Sequence, residues 1–250
     1  IAIAGKYRTG KSVFLNKCVL NEPVQGGFNT GSTIQACTKG LWLYTKTVRC
    51  ENSDGGCFTS IVMDTEGIGA LDANSTHDSR IFALALLLSS YFIYNSVGSI
   101  DEAAVSNLSL VSNISKHIRV CSDKEPSPED LGDYFPSFMW VIRDFTLKLV
   151  NATGKEIEAD DYLEEALKGT DSVRESLKGT FPKRQCATLV RPCSDENDLQ
   201  MMGQTDVELR PLFVEQLRRV RETIYSSVPP KRIFGKPVTG PMLAILAESY

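Results

Sequence analysis

The sequence predicts an α/β fold, a three-layer sandwich in which helices cover both faces of a mostly parallel central sheet. Three observations predict it. The chain opens on a short apolar strand, Ile1–Ala4, which is followed by a glycine-containing loop and then a helical pattern. Further apolar strands end in polar residues and alternate with helical patterns. The 250 residues are 42% hydrophobic and 23% charged, as expected for one globular domain with a full core.

Composition argues against several classes of protein. The formal net charge of -4 leaves no basic field over the whole domain, which argues against a general nucleic-acid binder. Seven cysteines form no C-x-x-C pair and only two histidines occur, which argues against a zinc site. We interpret the cysteines as reduced thiols of a cytoplasmic protein, which disfavours a disulfide between Cys50 and Cys57. The longest apolar run, residues 81–94, is too short to span a bilayer and predicts a buried helix.

The loop after the first strand carries the strongest motif, G-x-x-x-x-G-K-S. Strand, glycine loop and helix, here Val13–Leu20, are the context that a phosphate-binding P-loop requires. Glycines allow the tight turn, the backbone N–H groups and the helix N-terminus attract phosphate, and Lys11 reaches the β- and γ-phosphates. The Ser12 hydroxyl is placed to bind Mg²⁺. The predicted nucleotide-binding residues of this segment are Gly5, Lys6, Tyr7, Arg8, Thr9, Gly10, Lys11, Ser12 and Val13.

A second motif follows an apolar strand about 50 residues later. After a loop over residues 21–31, the alternating run Leu41–Val48 predicts a strand, residues 52–56 a hairpin turn, and Phe58–Met63 the partner strand. This strand delivers Asp64-Thr65-Glu66-Gly67 at its carboxyl end, where open α/β sheets bind ligands. The Asp64 carboxylate is suited to hold a Mg²⁺ water, and the Gly67 N–H to meet the γ-phosphate.

Thr38 is a third candidate, because a loop threonine between these two motifs is where a nucleotide-sensing loop would supply a Mg²⁺ ligand. Without the other two motifs, plain solvation of a loop would explain it as well.

The next elements lead to a candidate base-recognition site. Residues 76–94 and 102–120 predict helices, the second with a core-facing stripe. Residues 121–134 predict a surface loop, and Ser137–Ile142 a buried strand that ends in Arg143-Asp144. An Asp at this place can accept two N–H bonds from guanine and would reject adenine, although an ordinary surface ion pair explains it equally well. The residues of the stripe are Leu108, Val111, Ile114 and Ile118.

The remaining chain completes the domain. Short helices are predicted over residues 160–168 and 172–178, and a last strand over residues 185–190 ends in Arg191-Pro192. An amphipathic helix over residues 205–228 stops at Pro229-Pro230, and another helix begins at Met242. We expect residues 1–235 to form the nucleotide-binding domain, with its first strand clipped. Residues 236–250 are expected to form a linker and the start of a helical stalk.

With all these pieces in place, the chain resembles the guanylate-binding proteins, large GTPases of the dynamin superfamily related to atlastin. The residues at 89–95 and 116–119 resemble plant or protist members more than vertebrate ones. The segments that carry the family resemblance are Gly5–Ser12, Cys37–Trp42, Asp64–Gly67, Arg143-Asp144 and Val190–Pro192.

The resemblance implies Mg²⁺-dependent GTP hydrolysis coupled to a nucleotide-dependent homodimer, with GTP and GDP as ligands. Ser12, Thr38 and Asp64 would serve the metal. Arg143-Asp144 would replace the N-K-x-D guanine signature, because Asn16-Lys17 lies in the first helix. Arg191 and Pro192 would begin the family's guanine cap. Arg8 matches an internal arginine finger, positioned by head-to-head dimerisation, and such a cation supplies roughly 10³–10⁵ in rate.

Two positions depart from related catalytic sites. Ile68 stands where small GTPases carry the Gln that orients water, so Arg8, backbone groups and Glu66 must share that task. The resemblance links Glu66 to the water network. Ala36 lacks the hydroxyl with which some vertebrate members position the water, so hydrolysis would be slower or another group would substitute.

Two alternatives therefore stay open. One is a nucleotide-gated assembly module with weak or absent hydrolysis, and the other is an adenine-specific ATPase in which Asp144 is only a surface charge. We expect no nucleic-acid partner, and we assign any membrane association to parts outside these residues.

Overall fold

A six-stranded sheet forms the centre of the molecule. The computed structural model describes residues 1–23, 26–31, 37–51, 55–69, 75–111, 135–233 and 235–250. The strands are β1 (Ala2–Gly5), β2 (Leu41–Leu43), β3 (Val48–Glu51), β4 (Cys57–Ser60), β5 (Met63–Thr65), β6 (Tyr91–Val97), β7 (Ser137–Arg143), β8 (Arg184–Thr188), β9 (Arg232–Ile233) and β10 (Lys236–Pro237).

The order across the central sheet is β2-β5-β1-β6-β7-β8, and among its described strands only β2 runs antiparallel to its neighbour. The strands β3 and β4 form a separate hairpin, as do β9 and β10. This arrangement confirms the predicted α/β class with a mostly parallel sheet. Because β1, β5, β6 and β7 are parallel, their carboxyl ends and the polar residues that follow them meet at one edge.

Helices flank this sheet. Three of the described helices are preceded by an aspartate whose side chain accepts hydrogen bonds from backbone N–H groups of the first turn. These bonds satisfy donors that the helix itself leaves unpaired. The three residues are Asp101, Asp171 and Asp195. The helices are α1 (Lys11–Phe14), continued as a π-helix (Leu15–Leu20), α2 (Ser75–Leu88), α3 (Glu102–Ser106), α4 (Ala159–Ala166), α5 (Ser172–Thr180), α6 (Glu196–Met201), α7 (Pro211–Ser227) and α8 (Gly240–Ser249).

The sheet is buried on both faces because successive residues of its strands alternate between two cores. In β7, Phe138 and Trp140 face a core that also contains residues of α2, α3, α4 and α5. Met139 and Val141 face the opposite core, to which α1 and α7 contribute. The buried indole N–H of Trp140 donates to Ser96 Oγ at 2.8 Å, so this large side chain leaves no unpaired donor. Two helical layers therefore enclose the sheet.

The predicted helix over residues 76–94 is wrong in its last part. Helix α2 ends at Leu88, and Tyr91–Val97 form β6, a central strand with parallel neighbours on both sides. A continuous apolar run has the same appearance in a buried helix and in a buried parallel strand, so periodicity cannot distinguish them. The aromatic and β-branched residues after Ser89-Ser90 were the available strand signal.

The predicted antiparallel strand pair is correct in direction but divided into two parts. The Trp42–Asp64 pair belongs to the central sheet, whereas Arg49 pairs with Thr59 in the separate β3–β4 hairpin. Cys50 and Cys57, near the hairpin end, are free thiols. The turn residues 52–54 lie outside the described part of the chain.

Two other helix predictions need correction. The helix predicted from Thr205 begins at Pro211, whose ring suits a first helical position because that residue needs no N–H donor. The helix predicted over residues 102–120 is α3 at its start, followed by a turn at Asn107 and Leu108. Leu108 and Val111 are fully buried, as predicted. The rest of that helix and the loop over residues 121–134 lie outside the described residues.

The last helix, α8, packs back onto the domain. Leu243 and Leu246 contact the core that α2 covers, whereas Ile245 is exposed. Among the described residues, no helix combines the length and apolar character that crossing a membrane requires.

The burial of Lys231 against the chain just after α2 can be tested through the pH dependence of the unfolding free energy. Its Nζ donates to the Ser89 carbonyl at 2.9 Å, and burial lowers the pKa of Lys231 from 10.5 to about 8. Between these two values the unfolded chain holds a proton that the folded protein has lost, so stability from this group rises with pH. We expect Lys231→Met to gain unfolding free energy over the wild type at pH 7.5, with a smaller gain at pH 10. Denaturant unfolding of both proteins measures this, and parallel pH profiles would contradict it.

Candidate nucleotide-binding site

The loop between β1 and α1 has two positions that require glycine. Gly5 has φ 151°, and a Cβ there would lie 2.1 Å from the Asn95 carbonyl oxygen of the neighbouring strand. Gly10 caps α1 with φ 73°, a left-handed conformation. The loop therefore turns tightly against β6 and presents the start of α1 at the edge of the sheet where parallel strands end.

Side chains from β6 and β7 hold the loop from outside. Asn95 Nδ2 donates to the Thr9 carbonyl at 3.0 Å, and Arg143 Nη1 donates to the Gly10 carbonyl at 3.3 Å. Within the loop, Thr9 Oγ1 donates to the Lys6 carbonyl at 2.7 Å. These bonds fix the orientation of three peptide groups before any ligand binds, which lowers the entropy cost of binding a phosphate chain.

Lys11 is a buried cation at the start of α1. Its side chain is 7% exposed, and its Nζ donates to the Lys6 carbonyl at 3.3 Å. Burial lowers the pKa of Lys11 to about 8, while the carboxylates of Asp64 and Glu66 oppose that shift. A bound anion would replace the weak contact to a neutral carbonyl with a strong one, because it stabilises the charged amine.

Asp64 brings three separate segments together at the carboxyl end of β5. Its Oδ2 accepts from Ser12 Oγ at 2.6 Å and from Thr38 Oγ1 at 3.0 Å, and the two hydroxyls are 3.3 Å apart. The carboxylate is fully buried, and burial raises the pKa of Asp64 against the effect of both hydrogen bonds.

This cluster fits a magnesium ion. Asp64 Oδ1 is buried and accepts no hydrogen bond from the described residues, so the carboxylate lacks the compensation that a buried charge needs. Mg²⁺ prefers hard oxygen ligands and keeps several waters, and a carboxylate beside two hydroxyls offers that chemistry. Ser12 and Thr38 would contact the ion, and Asp64 would hold its water shell.

The segment after Asp64 is hydrogen-bonded to the loop itself. Tyr7 N donates to the Ile68 carbonyl at 3.1 Å, and Ile68 N donates to the Gly5 carbonyl at 3.0 Å. A Cβ on Gly67 would lie 2.1 Å from Tyr7 Cα, so only glycine permits this approach. The Ile68 side chain packs against the core and is partly buried.

Glu66 ties the segment after Thr38 to β5. Its Oε2 accepts from the Gly40 N–H at 2.8 Å, and its own N–H donates to the Gly40 carbonyl at 2.8 Å. The His77 ring nitrogen Nε2 lies 3.1 Å from the same Oε2. Glu66 is 8% exposed, so this carboxylate is held between the Thr38 segment and α2.

Arg8 lies on the outer side of the loop and has φ 63°. Its Nη1 donates to the Gly31 carbonyl at 2.8 Å. The segment that contains Gly31 is in turn held by buried Asn16, which exchanges two hydrogen bonds with the backbone of Phe28, at 2.8 and 2.7 Å. The finger residue suggested by the family resemblance is thus docked on a neighbouring loop.

Asp144 follows β7 in an unusual conformation, with φ 54°. The flanking peptides are fixed, since Gly98 N donates to the Arg143 carbonyl at 2.8 Å and Phe145 N donates to the Leu189 carbonyl at 2.9 Å. A left-handed aspartate costs free energy, and such strain is common at binding sites. The arrangement keeps the Asp144 side chain half-buried at the edge of the sheet.

Arg143 differs from its neighbour because its guanidinium is buried. It lies 5.8 Å from the centre of the Phe213 ring, and burial lowers the pKa of Arg143. Its Nε has no hydrogen-bond partner among the described residues. Together with the bond to Gly10, these contacts make Arg143 a support beneath the loop.

Arg191 and Pro192 begin a segment that reaches over the loop. Arg191 pairs with Glu196, and the hydrogen bond that its guanidinium donates to that carboxylate raises the pKa of Arg191. The Pro192 carbonyl accepts from Arg210 N at 2.8 Å. Farther along, Thr30 Oγ1 donates to the Gly203 carbonyl at 3.2 Å, which joins this segment to the loop that holds Arg8.

A cavity of about 200 Å³ joins most of these groups. Ala36 lies outside the described residues. The predicted site residues that do not line the cavity are Gly5, Lys6, Thr9, Asp64, Glu66, Asp144, Arg191 and Pro192. The volume is below the roughly 300–1,000 Å³ of whole-ligand pockets, so the cavity is of a size for part of a ligand, such as a phosphate chain. Its lining residues are Tyr7, Arg8, Gly10, Lys11, Ser12, Val13, Thr30, Gly31, Cys37, Thr38, Gly67, Arg143, Leu199 and Met202.

Comparison with known proteins gives the family. The family described as guanylate-binding protein, N-terminal domain, matches residues 1–232. The chain belongs to the guanylate-binding protein family. All of it aligns with guanylate-binding protein 2 of Homo sapiens at 37% identity, guanylate-binding protein 1 of Chlorocebus aethiops at 38%, and guanylate-binding protein 6 of Mus musculus at 36%. It spans 44%, 44% and 42% of those relatives' lengths, so it corresponds to under half of each.

Sequence reasoning missed several residues of this guanylate-binding protein domain. Asn16 was noticed only as a misplaced guanine signature, and Asn95 and His77 were assigned no role at the site. Each acts on the backbone or side chain of another segment, so no local pattern marks it. Leu199 and Met202 reach the cavity only because α6 folds over the loop.

Gly67→Ala tests the contact between the two motifs. The added Cβ would displace the loop at Tyr7, so we expect the unfolding free energy to fall by roughly 1–3 kcal/mol. Gly179→Ala is the control, because a Cβ there meets nothing within 4 Å and alanine favours the helical conformation of α5. Denaturant unfolding measures both, and an unchanged value for Gly67→Ala would contradict the described geometry.

Proposed function

We propose that this domain binds GTP and GDP with Mg²⁺ and hydrolyses GTP. The observation that carries the proposal is the convergence of Ser12, Thr38 and Asp64 within 3.3 Å of one another, beside the loop lysine. The relatives are named guanylate-binding proteins, which agrees with a guanine nucleotide as the ligand.

The proposed chemistry is mainly positioning and electrostatic stabilisation, because phosphoryl transfer needs little covalent help from a protein. The residues from Gly5 to Val13 hold the phosphate chain, mainly through the amides of the loop and the side chain of Lys11. The metal, when bound, neutralises charge that develops on the phosphate oxygens. Ser12 and Thr38 bind it, and Asp64 orients its waters.

Arg8 is proposed to stabilise the transition state. The Gly31 carbonyl that Arg8 Nη1 contacts is a neutral acceptor, so a γ-phosphate that gains negative charge would compete effectively with it for the guanidinium. The reorientation is expected when two domains meet across their nucleotides as a homodimer, which would make turnover depend on protein concentration.

Base selection is assigned to Asp144, with Arg191 and Pro192 shaping that end of the site, while Arg143 precedes Asp144 and supports the phosphate loop. The left-handed backbone of Asp144 and the hydrogen bonds on both of its sides support this role. An unpaired carboxylate beside adenine would disfavour ATP.

We further propose that residues 1–235 form the nucleotide-binding domain and that residues 236–250 lead into a helical region. Localisation in the cytoplasm and any membrane association through other segments remain predictions.

Ile68 favours a second candidate, a nucleotide-gated assembly module with weak or absent hydrolysis. Its side chain packs against the core, and an apolar group cannot polarise water. In that case GTP binding alone would drive assembly.

Phosphate release tests the proposal and separates these candidates. We expect Mg²⁺-dependent release from GTP but not ATP, with a specific rate that rises with protein concentration. Arg8→Ala should lower kcat by about 10³-fold, because the transition-state charge loses its cation. Arg49→Ala, an exposed arginine of β3, is the control and should match the wild type.

The outcomes are distinct. Tight GTP binding with negligible turnover in the wild type would contradict the enzyme and support the assembly module. Equal release from GTP and ATP would contradict the assignment of Asp144.

A further inference from the structure

We propose that His77 is a positioning residue for GTP hydrolysis, acting through the carboxylate of Glu66. The inference rests on the proposed function. Glu66, held in place by His77, would position the attacking water, because Ile68 and Ala36 offer no polar side chain for that task.

The geometry places His77 against one oxygen of Glu66. The distance from His77 Nε2 to Glu66 Oε2 is 3.1 Å, and the same Oε2 accepts the Gly40 N–H at 2.8 Å. An ionised carboxylate only accepts hydrogen bonds, so Nε2 carries a proton and donates it. Two donors on Oε2 fix the plane of the carboxylate, and neither of these two bonds uses Oε1.

Glu66 lies close to the phosphate-binding groups. It is two residues beyond Asp64 and immediately precedes Gly67, which lines the phosphate cavity together with Lys11. A carboxylate oxygen held at this position can accept a hydrogen bond from an attacking water. Glu66 also fixes Gly40, and with it the segment that carries Thr38.

Neither His77 nor Glu66 lines the phosphate cavity itself, but Glu66 adjoins Gly67, which does, so an effect of His77 on the site passes through Glu66. Its side chain is 47% exposed, whereas that of Glu66 is 7% exposed. A pair with one half-exposed partner contributes little to stability. The loss of His77 should therefore reduce turnover without unfolding the domain, and a purely structural tie between α2 and Gly40 would not give this result.

The first experiment compares His77→Phe, which keeps the ring shape without a donor, with His77→Gln, which keeps an N–H donor. We expect His77→Phe to lower kcat for GTP about tenfold and to change KM less than about twofold, because the lost interaction matters in the transition state. His77→Gln should recover at least about half of the wild-type kcat. Arg80→Ala, exposed on the same helix, is the control, and melting temperatures verify folding.

A double-mutant cycle tests whether the effect passes through Glu66. If His77 acts through the Glu66 carboxylate, His77→Phe should cost less than about twofold in kcat when it is added to Glu66→Ala, which removes that carboxylate. A full tenfold further loss in that background would overturn the proposal.

Other results overturn the inference in distinguishable ways. If the wild type turns over GTP and His77→Phe leaves kcat unchanged, the role of His77 is refuted while the proposed function stands. The same holds if His77→Phe and His77→Gln lower kcat equally. A rise in KM at constant kcat would also refute it, since that indicates binding rather than water positioning. Absence of GTP turnover in the wild type would refute the proposed function, and this inference with it.

Discussion

The site depends on one buried carboxylate. Asp64 is fully buried at the end of β5, and such a charge is stable only when hydroxyls, cations or a metal compensate it. Ser12 from α1 and Thr38 from the loop before β2 supply two hydrogen bonds, and Lys11 supplies positive charge nearby. The requirement to compensate Asp64 therefore brings the phosphate loop and the threonine loop together at one edge of the sheet.

The surrounding contacts hold these segments at fixed positions. Gly5 allows the loop to approach β6, Gly67 allows it to approach the segment after β5, and Arg143 supports it from below. A second chain of contacts runs through Asn16, the loop that holds Arg8, and Gly203 of the segment above the cavity. These contacts connect the first helix, the loop that holds Arg8 and the segment that contributes Met202 to the cavity.

The sequence predicted the groups whose chemistry is local to a motif. The G-x-x-x-x-G-K-S loop, Asp64 and Gly67 each follow a recognisable strand, and the α/β class follows from the same pattern. It failed for β6, because an apolar run does not distinguish a central strand from a buried helix. It also missed Asn16 and His77, whose partners lie 12 and 11 residues away and meet them only through tertiary folding.

The role of Asp64 is tested most directly by the effect of Mg²⁺ on GTP affinity, measured by calorimetric titration with and without the metal for the wild type and Asp64→Asn. We expect Mg²⁺ to tighten GTP binding by about tenfold or more in the wild type and little in the variant, because Asp64 is proposed to organise the metal site. An equal gain in both proteins would contradict it, since the metal would then be held without the buried carboxylate.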